Sequence, residues 1–183
     1  VERINIFGNF ITDEKVIRNK LVVDEGDPFN DLLFNKSIQT IKSMNIFKSV
    51  EYKILDDNDL KKTINISVEE KPTGEISAGA GTGTSGSSIS FSIADNNYLG
   101  RGSKVNLSAT LSDDSVEGKF RISEPNFKNS DKTLNTTIES SRNDLMSKFG
   151  YETNETGFSF GTTFEQYQDI FFSPEISMYY ESL

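Results

Sequence analysis

These 183 residues contain no cysteine, no histidine and no tryptophan, and only 4 prolines. Without cysteine there are no disulfides, no thiolate nucleophile and no cysteine-held cluster; without histidine the usual proton shuttle and the commonest metal ligand are missing. Enzyme readings start at a disadvantage. The lack of cysteine fits an oxidising periplasm without requiring one. No hydrophobic run approaches the roughly 20 residues a membrane-crossing helix needs. Cations are the minority charge: 19 Lys and Arg face 28 Asp and Glu, and the net charge of −9 argues against binding along a phosphate backbone. Nucleic acid is not an expected partner. Val1 leads straight into a strand pattern with no signal-peptide organisation, so a removed targeting segment or an internal piece of a longer chain is expected.

What the chain does have is alternation. Ile89, Phe91 and Ile93 share one strand face opposite Ser88, Ser90 and Ser92, and Val105, Leu107, Ala109 and Leu111 oppose Asn106, Ser108, Thr110 and Ser112. A soluble sandwich would bury the apolar face inward; a transmembrane barrel would turn it to lipid. The period alone does not choose between them. Strand patterns fall at 75–83, 87–95, 103–112, 116–124, 132–142, 154–166 and 172–182, close to the length a tilted spanning strand needs. Alternate turns carry Tyr98, Phe127, Tyr167 and Phe171, which would lie at one end as an interfacial aromatic girdle. Glu117, Lys119 and Arg121 alternate with Val116, Gly118 and Phe120, which suits a hydrated face rather than a catalytic pair.

The composition changes near Lys71-Pro72-Thr73-Gly74, where a domain boundary is expected. Before it the pattern reads strand, helix, helix, strand, strand. Ile4 and Ile6 alternate along the first strand, Thr12 is the expected N-cap of a helix running to about Lys20 or Leu21, and Asn30 is the expected cap of a second helix. Phe34, Ile38 and Ile41 give that second helix one apolar stripe, and Asn45 suits a left-handed position at its end. Val50, Tyr52 and Ile54, then Ile64, Ile66 and Val68, mark two strands joined by a turn at Asp56 to Asp59.

This order, with Phe7-Gly8-Asn9 after the first strand and Asn45-Ile46-Phe47 opening the second, resembles a POTRA domain, the periplasmic module of the Omp85 family, over about residues 2 to 71. Asn45 stands where the family usually has glycine, and it keeps the left-handed conformation available. Asn97-Tyr98-Leu99-Gly100-Arg101-Gly102 resembles the first inner turn of the Omp85 barrel, its motif positions being Asn97, Leu99, Gly100 and Gly102. Glu124-Pro125-Asn126-Phe127 resembles the second, through Pro125 and Phe127.

The resemblance implies an α+β POTRA domain of order βααββ at 1–72. It is followed at 73–183 by the N-terminal part of an antiparallel transmembrane β-barrel of about seven strands, an incomplete barrel whose further strands and upstream repeats lie elsewhere. It implies a non-enzymatic outer-membrane assembly factor with no metal or other cofactor. Its POTRA domain would sit in the periplasm, and its partners would be unfolded outer-membrane β-barrel precursors, accessory lipoproteins and the lipid bilayer. Read from the residues alone, Ser77-Ala78-Gly79-Ala80-Gly81-Thr82-Gly83 is no phosphate loop, because no Gly-Lys-Ser/Thr and no helix follow. Its glycines leave room for a neighbouring backbone or a tight corner, or weaken a seam. The resemblance favours the seam, with Ile76 to Gly83 pairing incoming strands by β-augmentation. It also makes Phe47-Lys48-Ser49-Val50-Glu51-Tyr52-Lys53-Ile54 an exposed POTRA edge strand and Glu25 a contact for a lipoprotein partner. The alternatives are a POTRA-barrel secretion pore of the two-partner type and, from another class, a soluble β-rich binding module.

Overall fold

The computed structural model describes residues 1–58, 61–83 and 86–183. Two compact units emerge. One comprises Val1–Thr73 together with Asn96–Gly102, and the other Gly74–Asp95 with Ser103–Leu183.

The first unit holds β1 (Arg3–Phe7), α1 (Glu14–Arg18), α2 (Asp31–Ser43), β2 (Phe47–Asn58) and β3 (Lys61–Glu70). The strands form a sheet in the order β1-β3-β2, with β1 parallel and β2 antiparallel to β3. Register follows the alternation: Ile4 lies beside Ile64, Ile6 beside Ile66, and Val50 beside Val68. Ile17 of α1 and Phe34, Ile38 and Ile41 of α2 cover this apolar face. Each such side chain contributes about 1.5–3 kcal/mol by leaving water. Asn30 caps α2 as expected, its Oδ1 accepting from the Leu33 amide at 3.1 Å, and Asn45 takes φ 59° just beyond the helix end.

Three expectations change. The N-cap of α1 is Asp13, without a side-chain cap bond, and the helix stops at Arg18. Thr12 is instead buried, its hydroxyl accepting from Asn97 Nδ2 at 2.9 Å. The turn expected at Asp56 to Asp59 is largely strand, since β2 continues to Asn58; Asp59 lies outside the described residues.

The second unit is an antiparallel sheet of β4 (Gly74–Gly83), β5 (Gly86–Tyr98), β6 (Ser103–Ser112), β7 (Ser115–Glu124), β8 (Thr133–Asp144), β9 (Glu152–Tyr167), β10 (Ile170–Phe172) and β11 (Glu175–Ser182). Its eight strands correspond to the seven expected ones, because the last is interrupted at Ser173-Pro174 and both pieces, β10 and β11, pair with β9. Proline offers no amide to a ladder, which accounts for the break. The segment between β8 and β9 adds a one-turn helix, α3 (Met146–Phe149), that strand patterning had not anticipated.

Candidate functional site

Polarity in the second unit is inverted relative to a water-soluble core. Thr137 and Ser159, facing each other across β8 and β9, are 8% exposed, whereas their neighbours Phe158 and Phe160 are 39% and 47% exposed. The register joins the apolar positions into one band: Ile76 beside Ile93, Ala78 beside Phe91, Leu107 beside Phe120, Phe120 beside Ile138, Ile138 beside Phe158, and Phe158 beside Met178. An exposed apolar surface of this extent marks an interaction surface. No helix among the described residues is long and apolar enough to cross a membrane, which says nothing about strands that do.

The opposite face is wired by polar bonds. Lys119, Glu139, Gly157 and Tyr179 stand in one row across β7, β8, β9 and β11. Lys119 Nζ lies 2.7 Å from Glu139 Oε2, and the Tyr179 hydroxyl donates to Glu139 Oε1 at 2.9 Å. Gly157 leaves the space the tyrosine crosses, since a Cβ there would stand 2.4 Å from Tyr179 Cε1. Ser123 and Asn135 extend the network, the serine donating to Asn135 Oδ1 at 2.6 Å and the amide donating to Thr163 Oγ1 at 3.1 Å. Mutual satisfaction keeps these groups from being costly.

β4 ends the sheet order and pairs only with β5. All ten of its residues are exposed. Ile76, Ala78 and Ala80 match Ile93, Phe91 and Ile89 on the apolar side, while Gly79 and Gly81 match Ser90 and Ser88. On that polar side a Cβ at Gly79 or Gly81 would touch nothing but a serine hydroxyl, at 3.1 and 3.7 Å. Little side-chain packing therefore reinforces the β4–β5 ladder there.

Within the second unit, Phe127, Tyr167 and Phe171 stand at one end, given the antiparallel connections, while Tyr98 falls in the first unit. The other end is aromatic too, with exposed Phe149 and Tyr151 in a tilted pair 6.2 Å apart. Aromatics therefore flank both ends instead of favouring alternate turns.

In the first unit β2 also ends its sheet. Lys48 reaches Glu69 of β3 at 2.6 Å, and this contact holds the exposed Glu69 carboxyl below its ordinary pKa and the Lys48 ammonium above. Tyr52 packs edge-on against Phe34, with ring centroids 4.9 Å apart.

The turn between β5 and β6 belongs to the first unit, and its motif residues have physical jobs. Asn97 donates to Thr12 and accepts from the Gly102 amide at 2.7 Å. Gly100 and Gly102 adopt φ 71° and 68°; a Cβ on Gly100 would stand 2.0 Å from the Ile11 carbonyl oxygen, and one on Gly102 2.9 Å from Val16 Cγ1. The turn at Pro125 and Phe127 closes on itself, the Phe127 amide donating to the Lys132 carbonyl at 3.0 Å.

A POTRA family model, described as surface antigen variable number repeat, matches residues 1–71, and the Omp85 superfamily domain matches residues 97–182. The chain thus carries a POTRA match followed by an Omp85 superfamily domain match. Outer membrane protein assembly factor BamA of Neisseria meningitidis serogroup B is 26% identical over 130 residues, 69% of this chain and 16% of that protein. BamA of Buchnera aphidicola is 26% identical over 184 residues, 89% of this chain and 30% of that protein. The chain thus spans less than a third of either curated relative. BamA from Haemophilus ducreyi lacking POTRA domains 1-3 shares the fold with a TM-score of 0.85 at 22% identity, over 98% of this chain and 35% of that one. CdiB from Acinetobacter baumannii gives 0.58 at 12% identity, over 99% and 38%.

Glu25 is engaged internally. Its Oε1 accepts from the Ile4 amide at 2.9 Å and lies 3.6 Å from Arg18 Nη1, while Arg18 Nη2 donates to the Ile4 carbonyl at 2.8 Å. Sequence reasoning missed Glu70, whose carboxylate accepts from the amides of Phe10, Ile11 and Thr12 at 2.6 to 3.2 Å. Burial pushes its pKa up, but the Thr12, Ile11 and Phe10 hydrogen bonds outweigh that and hold it below the ordinary value. No local signal marks this clamp, because its partners are 58 to 60 residues away in the chain.

Proposed function

We propose that this chain is part of an outer-membrane protein assembly factor. Residues 1–72 act as its barrel-proximal periplasmic POTRA domain, and residues 73–183 as the first part of its transmembrane barrel. The inverted polarity of the β4 to β11 sheet carries the reading, since an apolar face turned outward over a bonded polar face suits lipid outside and water inside. A soluble β-rich module would bury Phe158 and Phe160 and expose Thr137 and Ser159. The names of the curated relatives support assembly as the task.

Unfolded barrel precursors pair first with the β2 edge, residues Phe47 to Ile54, and then with β4 from Ile76 to Gly83. Backbone groups left unpaired in lipid cost several kcal/mol each, so every bond formed at the β4 edge drives insertion without nucleotide or metal. The sparse side-chain support around Gly79 and Gly81 lets this edge exchange its closing partner for a substrate strand. Glu25, held in orientation by Ile4 and Arg18, is the contact for an accessory lipoprotein.

The likeness to CdiB favours one second reading, a secretion pore of the two-partner type, which would pass an extended substrate along the polar face. Single cysteines separate the two. Ala78→Cys on β4 should form disulfides with cysteines in the terminal strand of an arriving barrel substrate, whereas Ser108→Cys on β6 should not. Cross-linking at Ser108 alone would favour the pore, and cross-linking at neither would sink both.

A further inference from the structure

The loop from Gly8 to Thr12 combines a dense set of hydrogen bonds with bare apolar side chains. It is firmly ordered: Glu70 holds three successive amides, Asn9 Nδ2 donates to the Thr12 carbonyl at 3.1 Å, and the Asp13 amide donates to the Gly100 carbonyl at 2.8 Å. Yet at its apex Phe10 and Ile11 are 94% and 73% exposed. Fixing a loop costs conformational entropy, and fixing one so that a phenyl ring stays in water gains nothing from burial. The arrangement is explained if the ring is not in water.

The same unit supplies another exposed apolar residue, in the turn beside this loop. Leu99, at φ 54° and 70% exposed, occupies the tip of the turn whose Gly100 abuts the Ile11 carbonyl. Arg101 beside it is exposed and places a cation suited to phosphate. Leu99 is also tied by the chain to β5 and β6, whose apolar residues Phe91, Ile93 and Leu107 are bare. If those strands cross a bilayer, the turn joining them lies at its surface, and Phe10 and Ile11 lie there with it.

We propose that Phe10 and Ile11, presented by the Glu70 clamp alongside Leu99, form a wedge that seats the POTRA unit in the periplasmic leaflet of the membrane. The occupant is phospholipid: apolar side chains enter the acyl boundary and Arg101 meets the headgroups. This rests on the reading of β5 and β6 as membrane strands, and the test keeps the two apart.

These 183 residues hold no cysteine, so single nitroxide labels can be introduced into the full-length protein once any cysteine elsewhere is replaced. Labels go at Phe10, at Phe91 on β5, and at Leu32, an equally bare apolar residue (82% exposed) in the first turn of α2. The protein is reconstituted in vesicles of phosphatidylethanolamine and phosphatidylglycerol, and collisions with oxygen, which concentrates in lipid, are compared with those of a water-soluble nickel chelate. The expected result is lipid-like collision ratios at Phe10 and Phe91 and a water-like ratio at Leu32. In a Glu70→Ala background the Phe10 ratio should fall toward the aqueous value while Phe91 stays unchanged. Lipid-like Phe91 with water-like Phe10 overturns the wedge and leaves the barrel reading standing. Water-like values at both overturn both. Lipid-like values at all three positions also overturn the wedge, because the whole unit would then be immersed. A water-like Phe10 that is shielded from the chelate only after a protein partner is added assigns the surface to that partner instead.

Discussion

Replacing Glu70 with alanine tests the clamp on which the ordering of residues 10 to 12 depends. Three amides lose their acceptor together. Phe10 and Ile11 present theirs in an exposed loop, where water takes over and the net loss is small. The Thr12 amide belongs to a buried residue and cannot rehydrate without opening the loop. A buried donor left unsatisfied costs about 1–3 kcal/mol, which converts to a roughly 5- to 150-fold faster exchange of that amide if local opening governs it. Hydrogen exchange read by mass spectrometry over the loop and α1, normalised to intrinsic rates, measures this directly, with Glu70→Gln intermediate because one acceptor remains. The pH dependence supplies an independent arm. The folded-state pKa of Glu70 is lowered, so its contribution is complete above the unfolded value, about 4.3, and is lost as the pH falls through the folded one. Protection in the unsubstituted protein should therefore fall on acidification below about pH 4, and E70A should lack that component. Equal protection in both proteins at neutral pH, or the same acid-induced loss in both, refutes the reasoning.

Gly8 and Gly26 separate crowding from backbone conformation. Gly8→Ala meets the Val68 carbonyl oxygen at 2.0 Å on top of its φ of 87°, and should lower stability by at least ~2 kcal/mol. Gly26→Ala, with φ 101° and open space, should cost about 1 kcal/mol; denaturant midpoints rank the two. Asn97→Ala strands the Gly102 amide in a buried turn and should cost about 1–3 kcal/mol in the same assay. Gly157→Ala forces Tyr179 off its path to Glu139 and should lower the temperature at which heat-modifiable gel mobility is lost, with Gly118→Ala, where a Cβ meets nothing within 4 Å, as the silent comparison.

Period and cap chemistry carried most of the architecture, because they are local. Asn30 capping α2, the stripe of Phe34, Ile38 and Ile41, and the two-residue alternation from Ile76 to Met178 depend on near neighbours and survived folding unchanged. Thr12 misled for the converse reason. It precedes Asp13 and Glu14 as a cap should, but Asn97, 85 residues away, takes its hydroxyl. Glu70 reads along the chain as half of an acidic pair, and only the fold brings its carboxylate under three amides. The strand pattern at 172–182 runs straight through Pro174, so the break at Ser173-Pro174 and the return of both pieces to β9 go unread in it. Polarity inversion was beyond the sequence altogether, since alternation has the same period whichever face looks outward.

The seven residues Asn96–Gly102 complete the first unit although they follow β4 and most of β5, which lie in the second. A recombination event cutting at Pro72 would carry off the three-stranded sheet and both its helices, but leave behind Asn97, the partner of Thr12, and Gly100, the acceptor of the Asp13 amide. Moved as a contiguous cassette, the module would therefore lose two of its internal hydrogen bonds. A transfer that also carried Asn96–Gly102 would keep both bonds, so the structural module is wider than its contiguous stretch of sequence.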